Sequence, residues 1–409
     1  MRTLKIIVLS ALLVPALASA SGFEVINTNP RDLALSGAGV AMQRDAAATF
    51  QNPASLSRLP EGLNLSIAGS MLSLKTKWTA PDGGTSGLTG DATTKFAPTP
   101  PVNVYLAYGT KLGGRAFGVG LGLAVPGGGQ MRWEEDWAGR GRIITVERRI
   151  LGTYLNAGYE VTPWLRLGGG AIMYYGIQYL KQGIEPFQEA FGELSTKGAG
   201  YSFQLSADIQ ANDKLRFGVD FKNKATISME GDGHFQVPPS LAGPSTEDQD
   251  VKQDLPFPIQ IAAGASYQAS KTVAVTLQYN YAGFNIYEED VFEGSKGLRL
   301  VVPRNYGDGH VVRGGVEWAV SPAFELRFGA MRDFSGLSTD TLSPTLPDSN
   351  TTGVSTGFTW KATPTFAVNW AFFYGDRDKQ TATGDVAFPG SYKTNVIITG
   401  LGVTWRAGQ

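Results

Sequence analysis

The stretch from Arg115 to Gly129, RAFGVGLGLAVPGGG, decides the fold. Every odd position from Phe117 to Val125 is apolar, whereas the even positions from Ala116 to Ala124 hold only alanine and glycine. A period of two is that of a β-strand, whose successive side chains point to opposite faces. One face of this strand is therefore apolar, and the other carries almost no side-chain atoms. Pro126 cannot donate a hydrogen bond to a neighbouring strand and Gly127 to Gly129 accept unusual dihedral angles, so we expect strand pairing to fail there.

Fourteen segments with this period recur along the chain. They are Leu63 to Met71, Val102 to Tyr108, Phe117 to Val125, Leu151 to Val161, Leu165 to Ile177, Tyr201 to Ile209, Leu215 to Phe221, Ile259 to Tyr267, Val273 to Tyr281, Val312 to Val320, Phe324 to Ala330, Val354 to Trp360, Phe366 to Phe372 and Leu401 to Trp405. Six short turns, at 112, 162, 211, 269, 321 and 362, alternate with seven long polar loops, near 79–98, 126–140, 181–198, 231–256, 286–309, 335–352 and 376–393. This asymmetry is typical of outer-membrane barrels. The sequence predicts an all-β fold, a transmembrane antiparallel up-and-down β-barrel of about 14 strands.

The placement of charges and aromatic residues favours a membrane barrel over a soluble sandwich, which would also carry one apolar face per strand. Charged residues fall on the faces opposite the apolar rows, where they avoid the roughly 2–4 kcal/mol cost of a cation at the bilayer midplane. These are Arg216, Asp220, Arg313, Glu317, Glu325 and Arg327. Aromatic residues gather near strand ends, as at membrane–water boundaries. These are Tyr159, Trp164, Tyr267, Trp318, Trp360 and Trp405.

The amino terminus predicts export. Residues 1–20 carry Arg2 and Lys5, then an apolar run, then the small-residue cleavage site Ala18-Ser19-Ala20, and the apolar run is too short to span a membrane as an anchor. Removing this signal peptide takes away two of 35 basic residues and leaves 33 against 36 acidic ones, a net charge near −3. That balance argues against nucleic-acid binding. The chain has no cysteine, so no disulfide holds the exported protein together.

Residues 21–60 do not fit the strand pattern. They are rich in Ala, Gly and Ser, with a short helix expected near Asp45 to Thr49 and a turn at Asn52, Pro53 and Ala54. About forty residues with few apolar anchors cannot form a separate core. We therefore expect them to pack inside the barrel.

The turn at Asn52 to Ala54, following DAAATFQ, resembles the hatch signature of the FadL family, outer-membrane transporters of long-chain fatty acids that also include facilitators of toluene and other hydrocarbons. Four further stretches match in order: WEEDWAGR at 133–140, YEVTPWLRLGGGAIMYYG at 159–176, LPFPIQIAAGASYQAS at 255–270 and SPTLPDSNTTGVSTGF at 343–358. The resemblance implies a fourteen-stranded barrel (61–409) closed by an N-terminal hatch (21–60). It also implies that substrates bind an extracellular groove, pass to an apolar pocket touched by the N-terminus, and leave through a gap in the third strand.

The third strand in our order is Phe117 to Val125, so the resemblance implies a lateral opening at Pro126, Gly127, Gly128 and Gly129. The alternative is that VPGGG merely starts an extracellular loop. Trp133 either lines the opening or anchors a loop. The bare face of the strand would let hatch backbone or an acyl chain approach closely.

The ligand-binding candidates each have a structural alternative. By analogy with the family, Phe23, Val25 and Ile26 contact the ligand or simply pack the plug. Arg313, and after it Arg216, would hold a substrate carboxylate, or would form charge ladders with Glu317, Asp220 or groups of the hatch. Gly307 stands where the family often has a basic residue, which leaves neutral hydrocarbons open as substrates.

In the stretch EPFQEAFGEL (185–194), the apolar residues Phe187, Phe191 and Leu194 have helical spacing. A helix there would form a wall of the capture groove or pack on a neighbouring loop.

These features predict passive outer-membrane transport of hydrophobic compounds such as long-chain fatty acids, by capture in an apolar lumenal pocket and lateral exit. Burial of an alkyl chain is worth about 0.8 kcal/mol per methylene, which a water-filled pore does not supply. The alternatives are a nonspecific porin, an adhesin or an outer-membrane hydrolase. Hydrolysis is disfavoured because His234 and His310 lie outside any catalytic motif. We expect a monomer without metal or cofactor, whose partners are hydrophobic small molecules, outer-membrane lipid and lipopolysaccharide, and the barrel assembly machinery during biogenesis.

Overall fold

The computed structural model describes residues 23–26, 29–82, 87–384 and 387–407. The predicted signal peptide lies outside the described residues. Within them, twenty strands join in one antiparallel sheet. The strands are β1 Gly62–Thr79, β2 Asp91–Thr93, β3 Val102–Leu112, β4 Arg115–Arg132, β5 Thr145–Thr162, β6 Leu165–Ile184, β7 Phe187–Gln210, β8 Leu215–Lys222, β9 Ala225–Gln236, β10 Gln249–Phe257, β11 Gln260–Gln268, β12 Val273–Ala282, β13 Glu289–Gly294, β14 Arg299–Pro303, β15 Gly309–Ser321, β16 Phe324–Phe334, β17 Thr351–Lys361, β18 Phe366–Arg377, β19 Gln380–Thr381 and β20 Ser391–Arg406.

Helices are short in the described chain. The α-helices are α1 Pro30–Leu33 and α2 Ala48–Gln51, and the 3-10 helices are Pro53–Arg58, Pro239–Leu241, Pro244–Thr246, Phe284–Ile286 and Thr339–Thr341. The helix expected near Asp45 to Thr49 begins at Ala48. Among the described helices, none is both long and apolar enough to cross a membrane.

Fourteen of the described strands close the barrel wall, in agreement with the strand count from sequence. They are β1, β3, β4, β5, β6, β7, β8, β11, β12, β15, β16, β17, β18 and β20. The first and last strands pair from Asn64 opposite Arg406 to Thr79 opposite Ser391, which seals the cylinder. Strands β9 and β10 continue β8 and β11 outward after interruptions of two residues each.

The six short turns are confirmed, but two of the long loops were predicted wrongly. Residues 181–198 lie mostly in the hairpin of β6 and β7, and residues 231–256 mostly in the hairpin of β9 and β10. The loop expected near 126–140 begins later than predicted, because VPGGG lies within β4, which runs to Arg132. The helix expected over 185–194 is also wrong, because Phe187, Phe191 and Leu194 all belong to β7. Paired strands satisfy each other's backbone groups, so the sheet extends past the apolar band without a loop.

The two faces of β4 behave as its sequence predicts. Val119, Leu121 and Leu123 on the outer face are 39–50% exposed, and the rest of the outer wall carries a similar apolar band. The inner glycines are buried against residues of the N-terminal region. A Cβ on Gly118 would lie 2.4 Å from the Leu56 carbonyl oxygen, and one on Gly120 would lie 2.1 Å from Thr49 Oγ1. The bare face therefore exists because the hatch main chain packs directly on it.

The described part of the predicted hatch that follows residue 28, residues 29–60, is called the hatch below. It fills the lumen and is held to the inner wall by ion pairs. Arg58 pairs with Asp208 of β7 at 2.6 Å, and Arg31 and Arg44 pair with Glu317 of β15 at 2.8 and 2.9 Å. The Arg31–Glu317 pair is mostly buried, so removing one of its partners would cost about 3–5 kcal/mol. The hatch is therefore fixed to two separate strands of the wall.

One hatch carboxyl group titrates in an unusual range. Burial and the nearby carboxylate of Asp45 together raise the pKa of Asp32 to about 7, against the opposing effects of Gln43, Arg31 and Arg327. The Asp32 Oδ1 atom accepts a hydrogen bond from Gln43 Nε2 at 2.8 Å. The hatch is thus packed around a carboxyl group that prefers to be neutral.

We predict that Gly118→Ala displaces the hatch, because the new methyl group meets a main-chain oxygen that no rotamer change can move. Ionic conductance in planar bilayers should rise above that of the unmodified protein. Gly69→Ala is the matched control, since a Cβ there meets nothing within 4 Å. Equal conductance of the two variants would contradict close hatch packing.

We predict that hatch stability falls as pH rises from about 4 to about 7. A carboxyl group whose folded pKa lies above its unfolded value near 3.9 contributes stability below that value and loses it as pH passes the folded pKa. Protection factors of hatch amides, corrected for intrinsic exchange, should fall by roughly ten- to a hundredfold between pH 5 and 8. The Asp32→Asn variant should lose most of this dependence, and an unchanged slope would refute the assignment.

Candidate functional site

An apolar cavity of about 120 Å³, here called the upper cavity, lies in the outer half of the lumen, above the hatch. For comparison, a dry apolar cavity of about 150 Å³ is known to hold benzene. The apolar lining of the upper cavity comes from the N-terminus, from β1, β4 and β5, and from the strands on the opposite side. The apolar members include Phe23, Val25, Ile26, Leu72, Leu74, Met131, Val146, Val311, Met331, Leu346, Phe373, Val396 and Ile398. Such a cavity favours a small hydrophobic molecule or part of an alkyl chain.

The N-terminal segment, residues 23–26, is anchored by one aromatic side chain. The ring of Phe23 is 4% exposed and lies edge-on to Phe284 and Tyr287, with ring centres 5.5 and 5.4 Å away. The Phe257 ring lies 6.0 Å away, and the Arg148 guanidinium sits 4.8 Å from the Phe23 ring centre. Edge-to-face and cation–π contacts add to the burial of the ring.

The backbone of the N-terminal segment pairs with β4. Val25 N donates to the Pro126 carbonyl oxygen at 3.0 Å, and Gly128 N donates to the Phe23 carbonyl oxygen at 2.7 Å, so Glu24 lies opposite Gly127. The N-terminus therefore adds a very short strand to the barrel wall at the VPGGG stretch.

This pairing is available because β4 has no wall neighbour on that side. The β3–β4 ladder ends at Val104 opposite Leu123, whereas the β4–β5 ladder continues to Arg132 with a bulge between Ala124 and Gly127. The chain that would extend β3 outward, residues 94–101, contains Pro98, Pro100 and Pro101, which have no N–H to donate. Among the described residues, the edge of β4 from 124 to 131 that faces β3 has no wall strand beside it and pairs only with the N-terminal segment, at 126–128. We call it the open edge.

Four arginines line the cavity, and three of them form ion pairs at its outer end. Asp290 pairs with Arg148 at 3.1 Å and with Arg304 at 2.8 Å, and Arg377 pairs with Asp348 at 3.1 Å. Tyr287 donates to Asp290 Oδ2 at 2.7 Å. These charges are mutually satisfied around an apolar space.

The roof of the lumen is an aromatic cluster on the extracellular connections. Trp133 and Trp137 are stacked with centres 4.3 Å apart, and Trp78 and Phe388 pack against Trp137 at 5.8 and 5.6 Å. All four side chains are buried. The cluster separates the lumen from the extracellular medium.

The structure brings some of the predicted site residues together and separates others. Phe23, Val25, Ile26, Gly128, Gly129 and Arg313 line the upper cavity, and Gly127 and Pro126 carry the N-terminal segment. Arg216 lies elsewhere, in the hatch anchor with Asp208 and Ser55. Phe187 and Phe191 lie on the extracellular part of β7 and line none of the cavities described here, and Trp133 lies in the roof.

The turn residues Asn52, Pro53 and Ala54 hold the hatch together. Asn52 Nδ2 donates to the Val40 carbonyl oxygen at 2.9 Å, and Ala54 N donates to Ser206 Oγ on the wall at 2.8 Å. None of the three lines the upper cavity.

Sequence reasoning missed Arg148, Asp290 and Arg304. Arg148 precedes Ile150 by two positions on the inner face of β5, so strand parity could have placed it in the lumen. The partnership with Asp290, 142 residues away, leaves no local signal.

Comparison with known proteins gives a consistent result. The family model described as Outer membrane protein transport protein (OMPP1/FadL/TodX) matches residues 11–406. Similar solved structures include a FadL homologue from Pseudomonas aeruginosa (TM-score 0.82, 16% identity, 94% of this chain and 100% of that one) and the toluene transporter TodX from P. putida (0.75, 15%, 96% and 100%). A third is the toluene transporter TbuX from Ralstonia pickettii (0.72, 16%, 97% and 100%). No curated protein sequence matches the chain significantly.

We predict that Phe23→Ala frees the N-terminal segment, because truncating a buried Phe costs about 3–5 kcal/mol. The chain has no native cysteine, so a Val25→Cys label site reports the release. Maleimide labelling at that site should speed up by at least about tenfold in the Phe23→Ala background. Phe96→Ala is the control, since the Phe96 ring is 73% exposed. Equal acceleration by both variants would show that the aromatic contacts do not hold the segment.

Proposed function

Because the chain belongs to the OMPP1/FadL/TodX family of outer-membrane transport proteins, whose members are non-enzymatic channels for hydrophobic compounds, we propose that it captures such compounds in the upper cavity and releases them sideways into the bilayer through the open edge of β4. Long-chain fatty acids are the first substrate class. Small aromatic hydrocarbons are the second, since two of the similar structures are toluene transporters.

The main support for lateral release is that the upper cavity lies directly against the open edge of β4. Gly128, Gly129 and Met131 of β4 line the cavity, and Leu74 of β1 faces them across the gap. A Cβ on Gly129 would lie 3.4 Å from Leu74 Cδ1. A molecule in the cavity is therefore separated from the bilayer by side chains and by the N-terminal segment, without a continuous hydrogen-bonded wall.

The driving force is partition. Charged headgroups and saccharides obstruct apolar solutes at the outer leaflet, and each methylene buried in the cavity is worth about 0.8 kcal/mol. Lateral release passes the solute from an apolar cavity to hydrocarbon, so it never returns to water. Transport then follows the concentration gradient of the solute.

The hatch explains why the wall needs a side exit. Its main chain contacts the inner glycines of β4, β5 and β6, where a Cβ on Gly158 or Gly168 would lie 2.3 Å from hatch backbone atoms. The axial route to the periplasm is filled by chain that is ion-paired to the wall. This packing also argues against an open, nonspecific porin.

We predict that a disulfide between Glu24→Cys and Gly127→Cys stops uptake. The two residues face each other across an antiparallel bridge, where Cα atoms are about 4.5–5.5 Å apart, within disulfide range. Cells carrying the oxidised double variant should take up oleate no faster than cells without the channel, because the N-terminal segment cannot leave the open edge.

The reduced form of the same protein is the control and should restore uptake. Oleate should still bind the oxidised, purified protein, since the disulfide joins two residues that are already paired and leaves the apolar lining of the upper cavity in place. Undiminished uptake in the oxidised form would show that the solute leaves by another route.

A further inference from the structure

A second, polar chamber of about 50 Å³ lies directly beneath the apolar cavity. The two spaces adjoin each other around the N-terminal segment and share the lining residues Glu24, Val25, Ile26, Asn280, Tyr281 and Arg313. The chamber's other polar residues come from the wall and the hatch. They are Gln51, Asp220, Lys222, Gln260 and Gln278.

Glu24 is the charged residue of the N-terminal segment, and it points its carboxylate into this chamber. Burial raises the pKa of the Glu24 carboxyl group, and the attraction of Arg313, Lys222 and Gln260, which line the same chamber, opposes that rise. Arg313 itself donates to the Ser36 carbonyl oxygen at 2.7 Å and to Asn280 Oδ1 at 3.1 Å, so its guanidinium is fixed in place. The segment is thus held by backbone pairing on one side and by a half-buried carboxyl group on the other.

Glu24 also completes the charge balance of the lumen. The described residues that line the two spaces, together with their ion-pair partners, comprise five basic and five acidic groups. The basic groups are Arg148, Lys222, Arg304, Arg313 and Arg377, and the acidic groups are Glu24, Asp220, Asp290, Asp333 and Asp348. The other nine lie on wall strands or extracellular connections, whereas Glu24 lies on the segment that covers the open edge.

When the N-terminal segment moves, Lys222 keeps its pair with Asp220, but Arg313 loses one of its two carboxylate neighbours and the lining holds one positive charge more than negative. Burying an unpaired charge is costly, and this cost opposes opening. A second carboxylate that enters the chamber removes the cost, because it takes the place of the one that leaves. A neutral solute of the same length cannot do so.

Resting on the proposed lateral exit, we propose that Glu24 is a tethered carboxylate that occupies the headgroup position beside Arg313 and Lys222, and that the carboxylate of an incoming long-chain acid displaces it and so releases the N-terminal segment from β4. The alkyl chain of the acid lies in the apolar cavity above. The channel therefore opens more readily for anionic amphiphiles than for neutral hydrophobic molecules.

The test compares laurate with methyl laurate, which differ in the headgroup charge and share the alkyl chain. Isothermal titration of the detergent-purified full chain measures both ligands on the unmodified protein and on Glu24→Gln. We expect Glu24→Gln to strengthen laurate binding by about tenfold or more, since no charged competitor has to leave, and to change methyl laurate binding by less than about twofold. Glu24→Asp, which keeps the charge, should stay close to the unmodified protein.

A second readout reports the release itself. Maleimide labelling of Val25→Cys should accelerate when laurate is added and should not respond to methyl laurate. In the Glu24→Gln background, labelling should be fast without any ligand. Arg313→Gln should weaken laurate binding alone, and Arg313→Lys should restore most of it.

Each remaining outcome overturns a distinct statement. Equal strengthening of both ligands by Glu24→Gln, or equal acceleration of labelling, would show that Glu24 only packs, and the tethered-carboxylate mechanism falls. Binding of both ligands with no difference between variants has the same consequence and leaves lateral transport standing. Failure of both ligands to bind the unmodified protein would sink the capture step, and with it the proposed function.

Discussion

The requirement that every backbone N–H and C=O inside a bilayer find a partner shapes this molecule more than any other constraint. Thirteen seams of the described wall meet it with ordinary strand ladders, and the first and last strands pair over sixteen residues. The seam between β3 and β4 meets it only as far as Leu123. Beyond Leu123, the chain next to β3 (residues 94–101) contains three prolines, which have no N–H to donate. The N-terminal segment pairs with β4 there in place of a wall strand. On the proposed mechanism, this N-terminal segment detaches, and the wall opens without unfolding of the barrel.

The remaining features follow from that seam. The glycine face of β4 lets the hatch lie directly against the wall, which fixes the hatch apart from the N-terminal segment. That segment is held by the aromatic surroundings of Phe23 and by Glu24 in the polar chamber. On the proposed mechanism, the first contact responds to apolar occupancy of the cavity and the second to charge, so opening would depend on the chemistry of the solute.

The sequence predicts the barrel well because its signal is local. Each wall strand shows the period of two, and the alternation of Val119 and Leu121 with Gly118 and Gly120 already contains both the lipid face and the hatch face. The same locality explains the error at Phe187 and Phe191. A spacing of four keeps two residues on one face of a helix and on one face of a strand, so their spacing cannot decide between the two. The Arg148–Asp290–Arg304 cluster has no local pattern and depends on closure of the whole cylinder.

The most direct test of lateral release is to locate a heavy-atom-labelled solute inside the protein. Crystals grown with a terminally brominated fatty acid would show the bromine by its anomalous scattering. The account predicts bromine density between Leu74, Gly129 and the displaced N-terminal segment, with the bridge between Glu24 and Gly127 broken. Bromine density below the hatch, near Arg44 and Lys361 at the periplasmic mouth, with that bridge intact, would contradict it.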